Sequence, residues 1–238
     1  MNLPYLLLTI AIFSILTYRT LKSNKSYVKF KQFKKTAERQ KSFKSWIIES
    51  FLMFGGLGVI MLIATDDKYN ELLAQVNASA FGTIVSQNQG VIIGFIAALV
   101  FGTILGAVAQ VKSSNDAMKA AGDIEAMQPT NKVELKFTTA LSINAGIVEE
   151  LFFRLALPAL LFATTNNAII AIAASVLIFG LVHWYQGLVG VIFTGILGAI
   201  LMAMYLTTGN LLFAIVVHAL IDLRSLAFVP YLQMRHMA

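Results

Sequence analysis

Residues 167–206 read NAIIAIAASVLIFGLVHWYQGLVGVIFTGILGAILMAMYL, a stretch without one Asp, Glu, Lys or Arg. About 20 apolar residues carry a helix across the hydrocarbon core of a bilayer. The stretch has room for two such passes, Asn167 to Trp184 and Gly187 to Leu206, joined by a short corner. No strand alternation interrupts the apolar runs. Only helices and closed barrels span a bilayer, because backbone groups find no water there to bond. The reading is therefore all-α: a polytopic transmembrane helix bundle.

The rest of the chain extends that reading in both directions. Of the 238 residues, 58% are hydrophobic and 13% charged, against about 25% charged in soluble domains. Further spans are expected at Leu3 to Tyr18, Trp46 to Thr65, Gly90 to Val111, Val133 to Phe162 and Asn210 to Val229. That makes about seven passes in all. Short loops among the last four make those helices antiparallel neighbours. In the third, Gly94, Ala98, Gly102 and Gly106 recur every four residues and form a face for close packing. Pro158 is placed to kink the end of the fourth. Met1 to Tyr18 has no basic n-region, so it reads as a retained helix rather than a signal peptide. The absence of cysteine excludes disulfides, thiolate metal sites and cysteine nucleophiles.

The net charge of +6 is unevenly spread, because Arg19 to Lys44 holds ten Lys/Arg against Glu38 alone. Three parts follow: an N-terminal transmembrane region, 1–132, with a basic cytoplasmic loop at 19–45; a helix bundle, 133–229; and a polar tail, 230–238. The positive-inside rule puts the basic block in the cytoplasm. Tyr27, Phe30, Phe33, Phe43 and Trp46 interleave with the lysines, which suits a helix lying on anionic lipid. No nucleic-acid partner is expected.

Three of the apolar segments carry ionisable groups, which are expensive in hydrocarbon and therefore face one another or a cavity. The pattern is Glu149-Glu150-x-x-x-Arg154, then Phe179-x-x-x-His183, then His218-x-x-x-Asp222. Glu150 and Arg154 share a helical face in the favourable order and read as a structural ion pair. Glu149 points about 100° away, since a helix turns once every 3.6 residues. With one carboxylate held by Arg154, the other is free to act as a general base. His218 and Asp222 share a face, so that the carboxylate can orient the imidazole. Each histidine alone is also explained as a satisfied polar residue between helices, and the acids as proton relays of a transporter.

Order and spacing resemble the CPBP family, the CAAX-processing proteases and bacteriocin-immunity proteins also called Abi. Its motifs EExxxR, FxxxH and HxxxN or HxxxD match Glu149 to Arg154, Phe179 to His183 and His218 to Asp222, within roughly Leu141 to Arg224. The resemblance implies a membrane-embedded, CAAX-type endopeptidase whose catalytic bundle is 133–229. Glu149 and His183 then activate the attacking water, and His218 and Asp222 stabilise the oxyanion or complete the site. Arg154 holds Glu150. Peptide maturation and bacteriocin immunity are the roles implied, with a peptide or protein substrate at the cell membrane. Asp222 stands where the CAAX proteases proper have Asn, and an ionised Asp cannot donate to an oxyanion. Metal use stays open at this point: if zinc is bound, Glu149, His183 and His218 are its ligands. The HExxH helix of zincins and the Gly-x-Ser-x-Gly elbow are both absent. A non-proteolytic immunity or chaperone-like protein, binding a peptide through the same pocket, is the alternative.

Overall fold

The computed structural model describes residues 2–94, 97–98, 102 and 122–236. Most of the expected third span, Gly106 of its small-residue stripe and the first part of the following loop lie outside the described residues.

Among the described residues the regular elements are all helical. Helix α1 is Leu3–Phe30, with Pro4 in its first turn, where the missing N–H costs nothing. Helix α2, Thr36–Ser50, runs through a π-helical turn, Phe51–Gly56, into α3, Leu57–Thr65. The first two spans are thus longer than their apolar runs, and the expected basic loop at 19–45 is instead a helical hairpin that turns near residues 31–35. Sidedness explains the difference. Lys22, Lys25, Lys29, Lys31, Lys34, Lys35, Lys41 and Lys44 are exposed, while the aromatic residues between them turn inward. Tyr27, Phe30 and Phe43 are buried rather than facing lipid. The Phe30 ring lies tilted 4.7 Å from Trp46 and edge-on 5.2 Å from Phe43, and Tyr27 lies 5.3 Å from Tyr185.

The polar stretch after Thr65 forms α4, Lys68–Asn77, and α5, Ala80–Gln87. Helix α6, Lys132–Glu150, starts where the Asn131 side chain accepts hydrogen bonds from the Val133 and Glu134 amides, both at 3.0 Å. It continues through a second π turn, Leu151–Ala156, into α7, Leu157–Thr165. Pro158 sits in the first turn of α7, just past that π turn. The start of α6 is stitched to the hairpin by a buried ion pair. Arg39 Nε donates to Glu134 Oε2 at 3.1 Å, and its Nη2 donates to the Ala126 and Gln128 carbonyls at 3.1 and 2.7 Å.

Helix α8, Ala168–Leu181, has 14 residues, and α9, Gly187–Thr208, has 22. Helix α10, Leu211–Leu223, passes through a third π turn, Arg224–Phe228, into α11, Val229–His236. The expected polar tail is therefore helical through His236. Val229 and Pro230 are buried, and a proline in a first helical turn withholds no needed donor. Four helices among the described residues are long and apolar enough to cross a membrane: Leu3–Phe30, Thr36–Thr65, Trp184–Thr208 and Leu211–Arg235. The remaining expected passes are the one largely outside the described residues, the charged helix beginning at Lys132, and the shorter α8.

The bundle is tight where the site residues are placed. Helices α6 and α10 approach so closely at Gly146 that a Cβ there would lie 2.9 Å from Ala219 Cβ and 3.0 Å from the Ile215 carbonyl oxygen. Gly146→Val should wedge them apart at a cost of about 1–3 kcal/mol. The control is Gly56→Val, where a Cβ meets nothing within 4 Å. Thermal unfolding followed by size-exclusion fluorescence should show a clear drop for the first variant and a much smaller one for the second.

Candidate active site

Glu149 and Glu150 are the last two residues of α6, and Arg154 lies in the π turn that follows. Wide turns of this kind occur often at functional sites. Arg154 grips Glu150 with two hydrogen bonds, Nε to Oε2 at 2.7 Å and Nη2 to Oε1 at 3.1 Å, and both side chains are fully buried. A buried, bidentate pair of this kind is strong only because each charge has its partner.

His218 reaches the same carboxylate from α10, with Nδ1 2.8 Å from Glu150 Oε1. An ionised carboxylate only accepts, so Nδ1 donates and Nε2 is left facing Asp222 Oδ2 at 3.8 Å. The hydrogen bond that fixes His218 thus comes from Glu150, not from Asp222 as the shared helical face suggested.

His183 lies just beyond α8, and its Nδ1 is 2.7 Å from the Phe179 carbonyl oxygen. A carbonyl only accepts, so Nδ1 carries the proton and the Nε2 lone pair faces Glu149 Oε2 at 3.8 Å. Glu149 Oε2 is buried and has no hydrogen-bond partner. Between groups this far apart a single water can bridge.

Phe179 explains why an aromatic precedes His183 by four residues. Its carbonyl holds one imidazole, and its ring stands 5.0 Å from His183, 5.9 Å from His218 and 4.9 Å beneath the Arg154 guanidinium. A Cβ on Gly198 would come within 2.6 Å of the Phe179 ring. Gly198→Ala should therefore tilt both imidazoles without entering the site. A displacement near 1 Å costs about a hundredfold in rate. The expectation is a fall of that order in turnover at near-normal protein abundance, checked by initial rates on purified protein.

A cavity of about 270 Å³ collects these groups. Glu149, His183, His218 and Asp222 line it, while Glu150 and Arg154 stand behind His218, off the cavity wall. The six residues singled out from the sequence therefore fall into four that face the cavity and two that position one of the four. Among the described residues no group of three or more His, Asp or Glu side chains is disposed to hold a metal ion. Glu149, His183 and His218 are not gathered as a zinc-binding set in this arrangement.

Sequence reasoning missed Arg19 and Tyr185, which also line the cavity. A signal for Arg19 was present. Ile12, Leu16, Arg19, Ser23, Tyr27 and Phe30 recur at helical spacing, and that face of α1 turns inward. Counting Arg19 with the basic block hid it.

Residues 131–224 match the family model described as type II CAAX prenyl endopeptidase Rce1-like. The match begins at the cap of α6 and ends at the third π turn, so it contains all three motifs and none of the N-terminal hairpin. No curated protein and no solved structure matches the chain.

Proposed function

We propose, from the match of residues 131–224 to the Rce1-like endopeptidase model, which supports membership of the CPBP family, that the chain is a CAAX-type intramembrane endopeptidase that cuts by adding water to a peptide bond. The family is one of proteases, and the apolar helices make this a membrane protein. The observation that carries the mechanism is the facing pair Glu149 and His183, 3.8 Å apart on the cavity wall with no other partner for Glu149 Oε2.

Glu149 and His183 Nε2 hold the water between them. Glu149 takes one proton as the oxygen attacks the scissile carbonyl carbon. The tetrahedral oxyanion turns toward His218. With both ring nitrogens protonated, His218 donates from Nε2 to that oxyanion, while Glu150 balances its charge through Nδ1. Asp222 adds negative charge 3.8 Å from Nε2 and favours the imidazolium. The proton held by Glu149 then passes to the leaving nitrogen, the C–N bond breaks, and one carboxylic acid and one amine are released. Arg154 acts only through Glu150.

The setting proposed is a multi-pass protein of the cell membrane. The exposed lysines of the hairpin meet anionic lipid there, and a peptide in maturation or in bacteriocin self-protection is the substrate. The test compares membrane peptides from cells carrying the wild-type chain with those from cells carrying Glu149→Gln. New peptide ends that appear only with the wild type support the reading. Protection from a bacteriocin that survives unchanged in the variant points instead to a non-proteolytic binding protein.

A further inference from the structure

Arg19 is a cation in the cavity wall that the mechanism above does not use. It comes from α1, outside the region that matches the family. Its guanidinium lies over the Phe54 ring, 4.4 Å from the centroid, and Nε is buried without a hydrogen-bond partner. Among the described residues it makes no ion pair. Of the two acids whose charge reaches it, Glu49 is 3.2 Å from Lys22 Nζ and Glu149 is the general base of the mechanism above. A stacked guanidinium still offers the edge of its fork, and that geometry matches a carboxylate.

Charge on the wall narrows what such a fork can hold. Glu49, Glu149 and Asp222 all line the cavity and repel an anion placed near them. Arg19 and Arg224, on the π turn after α10, are the guanidiniums that line it. Size narrows it further. About 270 Å³ lies just below the usual range of roughly 300–1,000 Å³ for ligand pockets, room for an end of a peptide rather than for a chain running through.

We infer that Arg19 is a specificity residue that binds the C-terminal carboxylate of the peptide substrate. The inference rests on the endopeptidase reading for the occupant being a substrate. It adds to the family region a contact from the N-terminal hairpin, so that the site is complete only when α1 is in place.

The test measures binding rather than cleavage, with the full chain carrying Glu149→Gln in nanodiscs of neutral phosphatidylcholine. The probes are three fluorescent apolar hexapeptides of one sequence: a free acid, a C-terminal amide, and an amide with Glu at the penultimate position. The free acid should bind roughly tenfold tighter than either amide, the scale of a charge-assisted hydrogen bond. Adding Arg19→Gln, which keeps the stacking on Phe54, should erase that preference and leave amide binding unchanged. Arg19→Lys, which keeps the charge but not the fork, should fall between, and serves if the glutamine variant does not fold. Four results would overturn the inference: equal binding of acid and amide, a preference that survives Arg19→Gln, equal binding of the Glu-containing amide, or no binding of the acid. Loss of the preference when anionic lipid is added would assign Arg19 to a lipid headgroup and overturn it too. A chain that binds the acid through Arg19 yet cuts nothing in its wild-type form sinks the endopeptidase reading alone.

Discussion

Glu149→Gln should reduce peptide-bond cleavage by about a thousandfold or more while the protein still inserts and folds. The substitution keeps the size of the side chain and removes its ability to take a proton. General-base catalysis contributes about 10²–10⁴ in rate, and here the base also positions the water. Among the described residues Glu149 Oε2 has no hydrogen-bond partner, so the substitution breaks no hydrogen bond at that oxygen. Stability should therefore stay near that of the wild type, which separates this variant from a structural one. His183→Ala should show the same split between activity and folding, since what it gives up is ring packing against Phe179 and Tyr185 and one hydrogen bond to the Phe179 carbonyl. The measurement is initial rate on purified protein in liposomes, set beside thermal unfolding of the same preparations. Cleavage within tenfold of wild type by both variants would rule out the proposed water activation.

Arg154→Met is expected to do the opposite and remove the fold before the chemistry. Arg154 and Glu150 are both fully buried and joined by two hydrogen bonds. Taking away one partner strands a charge in a dry interior, at a cost of about 3–5 kcal/mol. Glu150 would keep only His218, 2.8 Å away, as a partner. Combining Arg154→Met with Glu150→Leu removes the stranded charge and should recover much of the lost stability, because the two sites are directly coupled. The double variant should nevertheless remain inactive, since nothing then fixes the His218 ring. Unfolding midpoints for the two single variants and the double variant check this. A single Arg154→Met variant as stable as the wild type would show that the pair does not bear on folding.

Much of the architecture was legible because hydropathy acts on whole segments. The run from Gly187 to Leu206 became a helix of nearly the same bounds, Gly187–Thr208. The inward face of the hairpin at 19–45 was not legible because a charge count ignores sidedness. Ten basic residues with aromatics between them suggest a loop or helix on anionic lipid, yet Tyr27, Phe30 and Phe43 turn inward between exposed lysines and build a core. The π turns had no readable signal, since one extra residue per turn leaves no mark in composition or spacing. At the site, spacing within one helix was informative and contacts between helices were not. Four residues separate Glu150 from Arg154, and their hydrogen bonds follow that spacing. His218 finds Glu150 across 68 residues of chain, whereas spacing alone had nominated Asp222.

The brevity of α8 has a mechanical consequence. A helix of 14 residues is about 21 Å long, well short of the ~30 Å hydrocarbon slab that it adjoins. A mismatch of that size is relieved where leaflets thin and headgroups dip toward the stub. His183 stands just past the end of the stub. A leaflet thinned at that end would bring headgroup water toward the imidazole and supply the proposed hydrolysis from the membrane surface.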